Sequence, residues 1–325
     1  MVQQHSRYYY TKLQEEEKKA YRSIYEAWIQ RKERVKIKKH LGRVLNWKKI
    51  LEAIFLDNPE LFFIDKEHIE MVSSIWGYEI RGHFFWSEDE IEEKTKRLNE
   101  KVLSIWKNCR SARNKTDFLR KLHDCLAEKI AYNYEYPENF QNYTAYGALC
   151  QERAVCEGIA KAYKLLCDQE GVLCLIVSGR GLNEKGQEEG HAWNIVKAES
   201  GKMHVDVTWD IAFFEKGIEG IYFGLGDREM ERDHFWEKNL TPVCEGVQSR
   251  FLPIHSYKEM EQTVTYAVQN KETEIWLSFN RKFSSEQEIL HLVMRYLSKN
   301  FWSWRGRVSV LYLEKTDRAI IRFFY

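Results

Sequence analysis

The sequence predicts an α+β protein of several compact units, and three observations predict it. The chain has 325 residues, 44% of them apolar and 14% aromatic, ample for more than one buried core. Amphipathic helical patterns and short strands rich in β-branched and aromatic residues follow one another without a regular strand–helix rhythm. Only four prolines occur, and no repeat or low-complexity stretch separates the elements, so long linkers are not expected. The pattern divides into a mainly helical α+β region over 1–110, a central unit over 111–244 and a small α+β module over 245–325.

Charge excludes some functions. Fifty lysines and arginines stand against 49 aspartates and glutamates, leaving a formal charge of +1, so nothing global points to nucleic acid or a membrane surface. No apolar run reaches the length of a membrane span, and MVQQHSRYYYTKLQEEEKK has no apolar signal-peptide core. The seven cysteines are irregularly spaced, without a C-x-x-C pair or paired Cys/His metal spacing. The expectation is a reduced, cytoplasmic chain with no structural metal and no cofactor.

In the first region, Thr11 with Gln14 reads as a capping box before a helix carrying Tyr21, Ile24, Tyr25 and Trp28. The basic stretch Arg31, Lys32, Arg34, Lys36, Lys38 and Lys39 reads as a solvated helix end and loop, with a polyanion patch as the alternative. Val44 to Leu56 reads as a second helix, stopped at Asn58-Pro59. Leu61 to Ile64 and Gly77 to Trp86 read as strands, and Ser87 with Glu90 caps a helix running to Trp106.

In the central unit, Phe118 to Ile130 marks a helix, and Asn142 to Leu149 is rich in small and aromatic residues. Glu157 to Asp168 is a helix with Ile159, Ala162, Tyr163 and Leu166 on one face and Gly171 beyond its end. Val172 to Ser178 reads as a buried strand, and Gly190 to Lys197 with Met203 to Thr208 reads as a hairpin turning at 199–201. In the last module, Thr263 to Val268 and Glu274 to Phe279 read as strands. Ser285 and Glu288 cap a helix, and Val308 to Leu313 with Ala319 to Phe324 reads as a closing hairpin. Trp302 and Trp304 are expected to be exposed, marking a partner-recognition surface.

The chemistry concentrates between Ala154 and Asp210. A cysteine is a nucleophile only as a thiolate, and Cys156 falls at a helix start, where unpaired N–H groups and the helix dipole favour negative charge. His191 begins a strand after a polar loop and can take the thiol proton and return it. Asp206, 15 residues on, shares a sheet face with it and can orient its ring. His204 is a backup for the histidine role. For each residue the structural alternative is a buried side chain with satisfied partners. The order of Cys156, His191 and Asp206 on successive elements is what favours chemistry.

The segments AVCEGIAKAYKLLC, GHAWNIVK and HVDVTWD resemble the three core motifs of transglutaminase-like domains, over about 115–240. The resemblance implies a papain-like core, a cysteine-bearing helix packed on an antiparallel sheet. It also implies that Cys156 is the nucleophile, His191 the acid and base, and Asp206 the orienting carboxylate. YYYTKLQEEEKKAY and DNPELFF resemble the amino-terminal part of bacterial proteins with such a domain. Where relatives often carry glycine, this chain has Gln151-Glu152-Arg153. The oxyanion donors are therefore open among the Cys156 backbone N–H, Gln151 and Tyr143. Trp193 and Trp209 are candidates for lining a substrate groove or for packing the core.

The expected activity is cysteine-dependent acyl transfer from a peptide or carboxamide bond of a protein or peptide substrate. The acceptor is water (peptidase, amidase or deamidase) or an amine (transglutaminase). The alternative is a non-catalytic scaffold that keeps the fold for protein binding.

Overall fold

Residues 7–38, 45–135, 139–183, 185–215, 217–247 and 251–325 are described by a computed structural model. The structure is a mixed α+β fold with two compact units. One comprises residues 1–180, 190–227 and 236–247, and the other comprises 181–189, 228–235 and 248–325.

The first unit opens with a single turn, α1 (Tyr8–Thr11), and the amphipathic α2 (Glu15–Ile29). The capping box of α2 is Gln14 with Glu17, one turn later than the Thr11/Gln14 reading; Thr11 instead closes α1 by donating to the Tyr8 carbonyl. Tyr21, Ile24 and Trp28 are buried, as their spacing requires. The basic stretch forms a strand, β1 (Arg34–Lys38), where a loop was expected. Val35 and Ile37 alternate with outward charges, so a period of two overrides the charge pattern. Lys39 and Val44, in the expected loop and helix start, lie outside the described residues. Helix α3 (Trp47–Asp57) follows, then β2 (Ile64–Ser73) and β3 (Gly77–Phe84). These strands join β1 in the order β1-β3-β2, with both pairs antiparallel. Leu61 to Phe63, read as part of a strand, are buried turn residues before β2. The Ser87/Glu90 box caps α4 (Glu88–Cys109) as read.

Helix α5 (Lys115–Lys129) leads to the two-residue β4 (Ala131–Tyr132), a 3-10 turn at Phe140–Tyr143 and α6 (Ala145–Cys150). The two-residue β5 (Arg153–Ala154) pairs in parallel with β4 and delivers the chain into α7 (Cys156–Gln169). Helix α7 is surrounded by α4, α5, α6 and α8 (Val207–Phe214). Its remaining side faces the sheet of β6 (Cys174–Leu182), β7 (Glu188–Lys197), β8 (Lys202–Val205) and β9 (Phe223–Leu225). These four are hydrogen-bonded in the order β6-β7-β8-β9, with β7–β8 and β8–β9 antiparallel. Small side chains let helix and sheet approach: Ala160 meets Ile176 and Ala192, with Cys156 against them. The Asn194 amide then donates to the Ala160 carbonyl at 3.0 Å. A cysteine-bearing helix packed on an antiparallel sheet is the core that the sequence implied.

The second unit contains most of α9 (Asp227–Met230), β10 (His234–Phe235), β11 (Leu252–Ile254), α10 (Tyr257–Asn270), β12 (Glu274–Phe279), α11 (Glu286–Asn300), β13 (Arg307–Leu313) and β14 (Arg318–Phe324). Its sheet runs β11-β12-β14-β13, parallel at the first pair and antiparallel at the others. The expected strand over 263–268 is instead part of α10. Met260, Val264 and Ala267 form its buried stripe, and Ser256 caps it by accepting the Glu259 N–H, so helical packing overrides the β-branched composition. Trp302 is exposed as expected, but Trp304 packs against the core.

Candidate active site

The site is assembled on the amino-terminal turn of α7. Cys156 is its first residue, and Val155, the N-cap, offers no side-chain hydrogen bond. The first-turn N–H groups lack intrahelical acceptors, so partial positive charge gathers around the thiol. The entry is fixed by backbone: Glu152 has a φ of 55°, and the Val155 N–H donates to the Asn142 carbonyl at 3.0 Å. Gly158 packs against that same carbonyl, where a Cβ would come within 2.2 Å. Any larger residue would push the first turn away from the segment that anchors it.

His191, near the start of β7, and Asp206, just past β8, meet at 2.7 Å between Nε2 and Oδ2, both buried. The register pairs Asn194 with Val205, which puts His191 and Asp206 diagonally on one face. Asp206 is not in the returning strand as expected, but is the N-cap of α8. Its Oδ1 accepts the Trp209 N–H at 3.3 Å, and its own N–H donates to the Tyr222 carbonyl at 2.9 Å. Capping stops the strand at Val205, three residues short of the expected Thr208, despite the β-branched Val207 and Thr208. The Cys156 thiol is the other polar group that acts on the His191 ring. Burial lowers the His191 pKa, but Asp206 and then Cys156 overcome this and raise it to about 10.

Two indoles enclose the His191 ring, Trp193 at 5.8 Å and Trp209 at 5.3 Å between centroids. Their π-faces favour an imidazolium and keep water from it. Trp193 does not line a groove: it is 1% exposed, and its indole N–H donates to His204 Nδ1 at 3.0 Å. Trp209 is half-buried. Because an indole only donates, His204 Nδ1 is unprotonated and its Nε2 donates to Asp227 Oδ1 at 2.9 Å. Both ring nitrogens of His204 are thus engaged, away from Cys156. His204, Asp227 and Cys244 place ligand atoms within 4.8 Å of one another, but the first two are already hydrogen-bonded together.

Of the oxyanion candidates, Gln151 directs its amide to the Gln141 side chain. Tyr143 has its carbonyl held by Lys161 Nζ at 3.0 Å, and Lys66 Nζ lies 5.5 Å from its ring centroid. The Cys156 N–H, in the first turn of α7, sits beside the sulfur by connectivity. Sequence reasoning missed the charges next to it. Glu157 is clamped by Lys66 at 2.7 Å and Lys161 at 2.7 Å. Burial pushes its carboxyl up, but the two lysines bring it down to about 2. The negative charge beside the thiol is thereby neutralised. Sequence reasoning also missed His123 and Asp210. A histidine in an apolar helix face and a second aspartate in the DVTWD run were the available signals.

Comparison with known proteins agrees with the core. Residues 104–207, which contain Cys156, His191 and Asp206, match the family model described as the transglutaminase-like superfamily. Among solved structures it is similar to a TGase, at 10% identity over 69% of this chain and 59% of that one, with a TM-score of 0.34. It is also similar to the periplasmic domain of TgpA from Pseudomonas aeruginosa, at 17% identity over 42% and 55%, with a TM-score of 0.29. The chain thus spans less than two thirds of the length of these structures. No curated protein matches it.

Proposed function

We propose that the protein is a cysteine-dependent acyl-transfer enzyme acting on peptide or carboxamide bonds. The observation that carries this reading is the continuous contact from Asp206 to His191 to the thiol at the first residue of α7. In the resting site His191 takes the Cys156 proton, giving a thiolate–imidazolium pair enclosed by Trp193 and Trp209. The sulfur attacks the substrate carbonyl carbon, and the Cys156 N–H receives the developing oxyanion. The C–N bond breaks as His191 returns its proton to the leaving nitrogen, leaving a thioester on Cys156. Water or an amine, deprotonated by His191, then attacks the thioester, and the thiolate leaves. Asp206 holds the ring in register throughout and supports its positive charge.

Mass spectrometry tests this after incubation with glutamine-containing peptides, with and without hydroxylamine as acceptor. The expected result is an acyl adduct on Cys156 and released ammonia or amine, both absent in His191→Ala. Peptides recovered intact, with no adduct under either condition, would contradict the reading. The ratio of hydroxamate to free acid then decides between amine and water as acceptor.

A further inference from the structure

Behind Asp206 lies a further histidine–carboxylate assembly that the mechanism above does not use. His123, on α5, is fully buried, and each of its ring nitrogens faces a carboxylate. Nδ1 bonds Asp124 Oδ1 at 2.8 Å, and Nε2 lies 2.9 Å from Asp210 Oδ2 as an ion pair, its N–H directed off that line. Two carboxylates on one imidazole favour the doubly protonated ring. Asp210, also fully buried, stands one helical turn after Asp206. Its Oδ1 accepts the Ile221 N–H at 3.0 Å, and its Oδ2 accepts the Tyr222 N–H at 3.0 Å. Tyr222 in turn accepts the Asp206 N–H at 2.9 Å.

We infer that His123 and Asp210 are positioning residues for the candidate active site: the His123 cation holds Asp210, which fixes the 221–222 segment on which Asp206 and thence His191 are registered. The inference rests on the proposed acyl-transfer reading. Asp210 and Asp206 also repel one another, and burial and then His123 act in opposite senses on the Asp210 carboxyl. Without a cation at residue 123, two carboxylates would share one buried region beside the imidazolium. Among the described residues, Asp124 on its own helix also faces the ring, and Arg120, one turn back, lies 4.1 Å from the centroid of Phe223, whose ring packs edge-on to His123. Arrangements of this kind, where outer partners set the orientation of a reacting histidine and carboxylate, act by restricting geometry rather than by touching substrate.

The test uses the full chain and reads the rate of Cys156 alkylation by iodoacetamide from pH 5 to 9, with thermal melts in parallel. His123→Gln keeps an N–H donor toward Asp210 but removes the charge; Asp210→Asn removes the counter-charge. Each single change is expected to slow alkylation at pH 6 by about tenfold, the range of coupled buried neighbours. The pair H123Q/D210N, a neutral amide pair that keeps an acceptor for the backbone N–H groups, is expected to recover most of that loss. Single variants with the wild-type pH profile would overturn the inference. So would a double variant impaired by the product of the two single losses, which is the signature of independent structural roles. If H123Q fails to fold, D210N against the double variant still separates recovery from independent loss. Wild-type protein without His191-dependent alkylation would overturn the acyl-transfer reading and this inference with it, whereas an activated wild type with unaffected variants overturns this inference alone.

Discussion

Cys156 and Cys167 stand on one helix and have opposite chemical settings. Cys156 is half-buried in the first turn, with open backbone N–H groups beneath it and His191 against it. Cys167 is fully buried, and burial followed by its contact with Cys174 pushes its thiol well above the usual range. The polar groups differ in the same way. The site end carries Glu157 between two lysines with access to solvent, while the interior carries Lys164 and Asp168, 3.0 Å apart and both buried. The residue type is the same, and position in the helix decides whether the thiol stands beside open N–H groups and a histidine or packs as a small hydrophobe.

Substitutions can break this contrast, and the largest effect belongs to the site end. Cys156→Ala and His191→Ala are expected to lower acyl transfer by on the order of 10⁴-fold or more, with the fold intact by circular dichroism. Asp206→Ala leaves the imidazole unsupported and removes the cap of α8, so kcat/KM is expected to fall by about 10³-fold with a measurable loss in Tm. The next effect is on stability. Lys164→Met strands Asp168 in the core and is expected to cost about 3 kcal/mol in denaturant unfolding, with the pH profile of Cys156 alkylation unchanged. Cys167→Ala closes the series, with an expected cost of about 1 kcal/mol and full activity. An active C156A protein, or an inactive C167A one, would dissolve the comparison.

The pH dependence sharpens it further. The folded pKa of His191 is raised, to about 10, above its usual value. The stability it contributes is therefore fully present below about pH 6.5 and is lost as pH rises through 10. On the proposed acyl-transfer reading, kcat/KM is expected to fall near pH 10 as His191 loses its proton. Asp168 is also raised, by burial that outweighs Lys164, to about 7. Its stabilisation is present below about pH 4 and is lost as pH rises through 7, which unfolding curves at pH 4 and pH 8 would register.

The parts of this arrangement legible in the sequence are those encoded locally. Helix α7 announces itself by its apolar spacing, and Cys156 by preceding it; Ser87 with Glu90 and Ser285 with Glu288 mark helix starts where the structure has them. What was not legible depends on partners remote in the chain. Asp206 reads as a strand residue from its β-branched neighbours, but its Oδ1 takes the Trp209 N–H and its own N–H goes to the remote Tyr222 carbonyl. Helix α10 reads as a strand from Thr263, Val264, Thr265 and Val268, and only the core onto which Met260, Val264 and Ala267 pack makes it helical. His123 shows in its own helix only as a histidine on an apolar face, because its partner Asp210 reaches it from α8.

An activated thiol at Cys156 is tested most directly by iodoacetamide labelling of the native protein between pH 4 and 9, with each modified cysteine identified by mass spectrometry, in wild type and His191→Ala. Selective modification of Cys156 is expected well below pH 8, lost in the variant, with Cys167 protected until the protein unfolds. Labelling of Cys156 only near pH 8.5 and indifferent to His191 would contradict it, and would leave the fold as a scaffold without an activated thiol.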